Sequence, residues 1–132
     1  MTRRTAIAFV PVGLLATSAG KGSSQPAQQL EISEFAARRT SSRVIEIDGI
    51  VRNTGGQAVT RARLVFYLLS PGGDVVSTQR GAIQPETLEP GDDASFTWQT
   101  HDVARAVSLR IGAQDRAGAV IPVVNPGPYP IE

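Results

Sequence analysis

The chain of 132 residues contains no cysteine and only one histidine, His101. Without thiols there is no disulfide bond, so the fold must be held together by its hydrophobic core alone. One histidine and no cysteine are also too few nitrogen and sulfur ligands for a zinc site. Aromatic residues make up only 5% of the chain, and its arginines are scattered among acidic residues. This pattern argues against a nucleic-acid partner, and nothing in the sequence calls for a cofactor.

Long apolar runs are also missing. The longest uncharged, mostly apolar segment, residues 6–17, contains Pro11 and is shorter than the roughly 20 residues that a transmembrane helix needs. Arg3 and Arg4 precede this segment and small residues follow it at 16–20, an order typical of a secretory signal peptide. We therefore expect residues 1–19 to direct Sec export, with cleavage after Ser18 or Ala19. Retention as an uncleaved anchor is the alternative.

Export would place the protein in the periplasm or outside the cell, with no membrane span after cleavage. The 13 basic residues less Arg3 and Arg4 leave 11, against 12 acidic residues, so the remainder has a net charge near −1. Residues 20–29 are rich in Ser, Gln and Gly and are predicted to form a flexible polar spacer. A lipoprotein is excluded because lipidation requires a cysteine.

Beyond the spacer, short segments alternate between apolar and polar residues and are separated by Gly- and Pro-rich clusters. The segments are 30–36, 44–52, 62–69, 75–78, 94–100, 106–114 and 120–124. Alternation places every second side chain on one face of a strand, and Gly and Pro mark the turns. Residues 30–124 are therefore predicted to form an all-β, immunoglobulin-like antiparallel β-sandwich of about seven or eight strands. Residues 125–132, with three prolines, are predicted to be an extended tail.

The phase of the alternation also predicts which side chains are buried. The predicted inward residues are Leu64, Phe66, Leu68, Phe96, Trp98, Val107, Leu109 and Ile111. Gly49 interrupts a strand, which indicates either a bulge or a group packed closely over it. The alternation slips at Phe35, consistent with a bulge in the first strand, and residues 38–43 are predicted to be a polar connection.

Three segments resemble the FxLYD family of bacterial extracytoplasmic domains. The segment from Gly49 to Asn53 is similar to the family's G-x-V-x-N motif, and Leu88-Glu89-Pro90-Gly91 followed by Phe96 is similar to its L-x-P-G turn and next strand. In Phe66-Tyr67-Leu68-Leu69-Ser70 the Phe and the first Leu match the naming motif, whereas Leu69 and Ser70 replace its Tyr and Asp. The resemblance covers residues 30–112. It implies an immunoglobulin-like sandwich on an exported protein, without a known catalytic site.

The only pair that suggests acid–base catalysis is His101 with Asp102. Neighbouring residues on an extended chain point to opposite faces, so Asp102 is poorly placed to orient His101. No G-x-S-x-G nucleophile elbow is present. We predict no catalytic residues and therefore a protein that is not an enzyme.

Asp92 and Asp93, with Glu89 nearby, are the only candidate metal ligands. They could offer oxygen atoms to calcium, which needs about six to eight of them, but acidic residues after a Pro-Gly turn are usually solvated. Trp98 could stack on a sugar if it faced outward, although its phase with Phe96 predicts a core position. A calcium- or carbohydrate-binding accessory protein, using the loops near Asp92 and His101, is therefore the alternative function.

The candidate partner-binding residues are Arg63, Val65 and Tyr67, predicted to point away from the core. With Leu69 they would form a partly apolar strip that either binds a partner or is covered by the C-terminal tail. A second candidate is the basic cluster Arg38, Arg39 and Arg43, which could contact an anionic polymer. The sequence therefore predicts a non-catalytic, exported module that binds or spaces within the cell envelope. Its partner would be a protein or an envelope polymer, held by a sheet face or a free edge strand.

Overall fold

The computed structural model describes residues 26–40, 43–101 and 106–132. The predicted signal peptide, residues 1–19, and the first part of the predicted spacer lie outside the described residues. Within the described ranges, no helix combines the length and the apolar character that crossing a membrane would require.

The alternating segments form strands, as the sequence predicts. The strands are β1 (Leu30–Arg39), β2 (Val44–Asn53), β3 (Val59–Thr60), β4 (Arg63–Leu69), β5 (Val75–Ala82), β6 (Thr87–Leu88), β7 (Asp93–His101), β8 (Ser108–Gln114), β9 (Val120–Ile121), β10 (Val123–Val124) and β11 (Tyr129–Pro130). β1 carries a bulge between Ile32 and Glu34, close to the predicted slip. It continues to Arg39, so the predicted polar connection over 38–43 is wrong at its first two residues.

The strands pair into two main sheets that enclose the core. The five-stranded sheet has the order β9–β8–β4–β5, with β11 also paired to β8, and the four-stranded sheet has the order β10–β1–β2–β7. The short pair β3–β6 lies outside both sheets. All pairs are antiparallel except β10 with β1. The predicted antiparallel β-sandwich is confirmed.

The C-terminal residues join the two sheets along one side of the sandwich. Residues 125–132 do not form the separate extended tail that their prolines predict, because Tyr129 pairs with Leu109 on β8. Further along, the Glu132 amide donates to the Ala37 carbonyl oxygen on β1 at 2.9 Å. β10 contributes to the same junction by pairing with β1. This side of both sheets is therefore covered by main-chain hydrogen bonds.

The opposite side of the sandwich is open. β5 is the outermost strand of one sheet and β7 of the other, and no strand of the described residues pairs with their outer edges. We call this the open side. Free strand edges are places where another chain can add main-chain hydrogen bonds.

With one exception, the residues predicted to point inward contribute to the core. Leu64, Phe66 and Leu68 are buried, as are Leu109 and Ile111. Val107, predicted to be inward, is 43% exposed. It precedes β8, and its amide donates to the Leu69 carbonyl oxygen while its own carbonyl accepts from the Ile131 amide. In this irregular stretch the buried position is taken by Ala106.

Two aromatic rings of β7 complete the core, and each packs over a glycine. Phe96 covers Gly49 on the neighbouring β2, where an added Cβ would lie 2.5 Å from the Phe96 Cζ atom. Trp98 crosses to the other sheet and covers Gly81 on β5, where an added Cβ would lie 2.5 Å from the indole ring. Both rings are only partly buried. Of the two alternatives that Gly49 indicates, a bulge or a closely packed group, the structure shows the closely packed group.

Candidate functional site: an arginine-rich sheet face

The residues predicted to bind a partner lie on β4, near the middle of the five-stranded sheet. Arg63, Val65 and Tyr67 alternate with the buried core residues of this strand, so they occupy its outward face. Val65 is nevertheless fully buried, and Tyr67 is partly buried. The predicted apolar strip is therefore not exposed, and Val65 offers no surface to a partner. A binding role for Arg63 and Tyr67 remains a prediction.

Two residues of β8 on the same face, Gly112 and Arg110, lie against Tyr67. Its ring lies over Gly112 of β8, where an added Cβ would be 3.2 Å from the Tyr67 Cε2 atom. The guanidinium carbon of Arg110 lies 4.8 Å from the centroid of the same ring. This distance is within the range of a cation–π interaction. The arginine is thus held against the sheet with its charge at the surface.

Strand pairing brings three arginines onto this face. Arg80 of β5 lies opposite Val65, and Arg110 of β8 lies opposite Tyr67, while Arg63 is two residues before Val65 on β4. No acidic residue occupies an outward strand position of this sheet, and none of the three forms an ion pair with another described residue. We call Arg63, Arg80, Arg110 and Tyr67 the arginine face.

The outer face of the four-stranded sheet has the opposite character. Its outward strand positions hold five acidic residues and two arginines: Glu31, Glu34, Glu46, Asp48, Asp93, Arg38 and Arg52. The two arginines are neutralised locally. Arg38 contacts Glu46 at 2.5 Å and Asp48 at 3.4 Å. The two broad faces of the sandwich therefore differ in the sign of their charge, and the unpaired positive charge lies on the arginine face.

The hydrogen bond from Arg52 to Asp93 shifts the pKa values of both groups. The Arg52 Nε atom lies 2.7 Å from Asp93 Oδ1. This hydrogen bond lowers the pKa of the Asp93 carboxyl and raises the pKa of the Arg52 guanidinium. Both groups are solvated, so the pair orders the two strands at their surface and contributes little to stability.

In the predicted basic cluster of Arg38, Arg39 and Arg43, the first two arginines are held apart. Arg38 and Arg39 are consecutive residues of β1 and point to opposite faces. Arg38 binds the carboxylates of Glu46 and Asp48, whereas Arg39 donates to the carbonyl oxygen of Ala106. Arg38 and Arg39 therefore do not make a common anion site, although they are neighbours in the sequence.

The candidate calcium ligands are engaged with the protein. Asp92 accepts a hydrogen bond from the Glu89 amide at 3.3 Å, and Asp93 pairs with Arg52. His101 is exposed at the end of β7, and Asp102 lies outside the described residues. In the ranges that the structure describes, no group of three or more His, Cys, Asp and Glu side chains is arranged to hold a metal ion.

Millimolar calcium is expected to leave the melting temperature of the protein unchanged. A ligand that binds only the folded state would raise this temperature, but Asp92 and Asp93 are already committed to other groups. Thermal unfolding with calcium and with a chelator measures the effect. A calcium-dependent rise that is lost in Asp92→Asn would contradict the prediction.

The segments that carry the family resemblance contact one another at two places, the middle of β2 and the corner where β2 ends. Gly49 lies under Phe96, and the buried Asn53 side chain donates to the Leu88 carbonyl oxygen at 2.8 Å. The Gly91 amide donates to the Asn53 carbonyl oxygen at 2.8 Å, in a turn where Gly91 has a φ of +87°. These residues hold β2, β6 and the turn before β7 together, so their role is structural.

Sequence reasoning missed Arg80 and Arg110. Alternation over 106–114 would have placed Arg110 on an outward face, since it is out of phase with buried Leu109 and Ile111. Arg80 lies beyond the predicted segment 75–78, because β5 continues to Ala82. What the sequence does not reveal is that β8 pairs with β4 from the far side, in a register that sets Arg110 against Tyr67.

Neither a family model nor a curated protein sequence matches the chain. Among solved structures, β-glucuronidase 2 of Bacteroides uniformis is similar, with a TM-score of 0.52 and 16% identity over 74% of this chain and 14% of the enzyme. IrmA of Escherichia coli is similar with a TM-score of 0.52 and 11% identity, over 71% of this chain and 83% of IrmA. A CARDB domain from Pyrococcus furiosus has a TM-score of 0.41 and 18% identity, over 81% of this chain and 84% of that chain. This chain thus spans only 14% of the length of the enzyme. At these identities the likeness to the two structures with a TM-score of 0.52 shows the fold alone, an immunoglobulin-like β-sandwich.

Proposed function

We propose that this protein is a non-catalytic, exported, immunoglobulin-like module of the bacterial cell envelope. On this proposal it binds an anionic partner, a protein or an envelope polymer, through the arginine face. The observation that supports this best is the set of three arginines on one sheet face, none of them paired with a described carboxylate. A partner that brings carboxylate or phosphate groups would supply the missing counter-charges.

The arginine face has two further features of a recognition surface. Arg110 is held against the Tyr67 ring, so less side-chain freedom is lost when it binds a partner. Both residues stand on strands in the body of a sheet, which positions the charges more rigidly than a loop would. The opposite face, with its acidic excess, would repel the same partner and so fix which face is used.

Export and family type belong to the same proposal. Arg3 and Arg4, the apolar residues 6–17 and the small residues 16–20 support Sec export to the periplasm or the exterior. The contact of Gly49 with Phe96 and the contacts of Asn53 with Leu88 and Gly91 support an FxLYD-type domain, since each joins residues quoted for that resemblance. The sequence contains no G-x-S-x-G nucleophile elbow, which supports a non-catalytic role.

Charge reversal at Arg80 or Arg63 is expected to weaken binding to a polyanion. We expect Arg80→Glu and Arg63→Glu each to reduce affinity by about threefold to tenfold at low salt, since each removes one surface attraction and adds a repulsion. Fluorescence anisotropy with labelled poly-glutamate and with a labelled polyuronate measures the effect for a protein-like and a polysaccharide probe. The affinity of the unmodified protein should fall as salt is added.

Arg116→Glu is the matched control, because Arg116 is exposed in the turn between β8 and β9 and lies off the arginine face. It changes the net charge by the same amount. Equal weakening by Arg116→Glu and Arg80→Glu would show only a general charge effect and would refute a site on the arginine face. Unchanged binding in both Arg80→Glu and Arg63→Glu would refute it as well.

A further inference from the structure

β7 is a long free edge whose aromatic side chains are only partly covered. Its nine residues pair with β2 on one side, and no described strand pairs with the other. Phe96 and Trp98 point toward the opposite sheet, where they contact Phe66 with ring centroids 5.9 and 6.3 Å apart. They line an open cleft of about 390 Å³ between β5 and β7. Partly exposed aromatic rings beside a free edge mark a place where another strand could dock.

We propose that the occupant of this edge is a second copy of the same chain, paired antiparallel through β7 about a two-fold axis at Thr97. Such a dimer would join the two four-stranded sheets into one continuous sheet. The interface would be isologous, with the same strand contributed by each copy.

The residue order of β7 is what favours self-pairing. Thr97 is the midpoint of the strand, so the two-fold register pairs all nine residues. Asp93 of each copy lies opposite His101 of the other, at the two ends of the paired strands. On the inner face the same register sets Phe96 opposite Trp98 of the second copy, and it does so twice. Cross-strand aromatic pairs of this kind stabilise sheets.

Charge is also compatible with this register. On the outer face Ser95 lies opposite Gln99 and Thr97 opposite itself, so only neutral polar side chains meet near the axis. At the ends of the strand a carboxylate, Asp93, lies opposite an imidazole, His101. No two carboxylates are brought together directly across the strands, as like-charge pairs would destabilise the interface.

The other free edge does not offer the same match. β5 has eight residues, so its midpoint falls between Thr78 and Gln79, which point to opposite faces of the sheet. Full-length two-fold pairing of β5 would set an inward residue against an outward one, which the pleat does not allow. Self-association is therefore assigned to β7.

A cysteine at the axis tests the register. The chain has no native cysteine, so Thr97→Cys introduces a single thiol. Directly opposed Cβ atoms in an antiparallel pair are about 4.5–5.5 Å apart, close to the separation that a disulfide bridges. Mild oxidation of the purified Thr97→Cys protein is expected to give a covalent dimer. Thr78→Cys, the matched control on β5, is expected to remain monomeric on a denaturing gel.

Sedimentation equilibrium of the cysteine-free protein measures the association itself. We expect a reversible dimer whose dissociation constant rises about tenfold in Thr97→Asp, because two carboxylates would meet at the axis. Thr78→Asp should leave it unchanged. A protein that stays monomeric across the concentration series, crosslinking of Thr78→Cys in place of Thr97→Cys, or equal effects of the two Asp variants would each overturn the proposal. Circular dichroism of every variant confirms that it remains folded.

Discussion

Asn53→Ala is expected to lower the free energy of unfolding by about 3 kcal/mol, since it leaves several buried polar groups without partners. Asn53 is fully buried at the end of β2. Its Nδ2 group donates to the carbonyl oxygens of Gln57 at 2.9 Å and Leu88 at 2.8 Å, and its Oδ1 atom accepts from the Gly55 amide at 2.9 Å. One amide thus satisfies three backbone groups that a methyl group cannot reach.

The melting temperature measures this loss. For a domain of about 100 residues, a loss of 3 kcal/mol corresponds to a fall of about 12–24 °C. Gln99→Ala is the matched control, because its amide is exposed and makes one hydrogen bond, to Glu46 at 3.1 Å. It should change stability by less than about 0.5 kcal/mol.

Asn53→Asp separates hydrogen bonding from packing. Aspartate has nearly the same shape but would direct an acceptor oxygen at two carbonyl oxygens, so we expect it to be at least as destabilising as alanine. An Asn53→Asp protein as stable as the unmodified one would show that volume alone matters at this position. The corner that joins β2, β6 and the turn before β7 would then be held by other contacts.

Much of the fold follows from local pattern. The alternation over 44–52 and 62–69 predicts β2 and β4, and Gly49 within β2 indicates a bulge or a close contact, of which the structure shows the contact with Phe96. These features depend on neighbours within one strand, which the sequence displays directly. The prediction that residues 125–132 form an extended tail was wrong. Proline disfavours a regular ladder of hydrogen bonds, but it does not prevent the isolated main-chain pairs that Tyr129 and Glu132 form with β8 and β1.

The candidate site was predicted less well because it depends on pairings between distant segments. Val65 has the alternation phase of an outward residue, but it is buried by its neighbours on the adjacent strands. Arg80 of β5 lies opposite Val65 on one side, and Gly112 of β8 lies opposite it on the other. Alternation gives the face of a residue but not what lies beside it on the next strand. The same limit explains why the cluster of Arg38 and Arg39 was expected and the arginine face was not.

Gly49→Ala is expected to destabilise the protein by about 3 kcal/mol, because no space exists for even one methyl group. An added Cβ would lie 2.5 Å from the Phe96 Cζ atom and 2.6 Å from the carbonyl oxygen of Glu34. The ring could turn aside, but the carbonyl belongs to the main chain of β1 just after its bulge. Relief would require the paired strands β1 and β2 to move apart.

Two variants distinguish these contacts. Gly72→Ala, in the turn between β4 and β5, is the control, because the nearest atoms to its added Cβ are 3.9 Å away, and it should leave the melting temperature nearly unchanged. Phe96→Ala removes the ring, so comparing Phe96→Ala with the double variant Gly49→Ala/Phe96→Ala isolates the clash with the main chain. We expect this remaining cost to exceed about 1 kcal/mol, since a backbone carbonyl cannot rotate away as a side chain can. If Gly49→Ala costs no stability in the Phe96→Ala background, the Glu34 carbonyl next to the bulge does not exclude a side chain at position 49. Glycine would then be required at this position only because the Phe96 ring occupies the space above it.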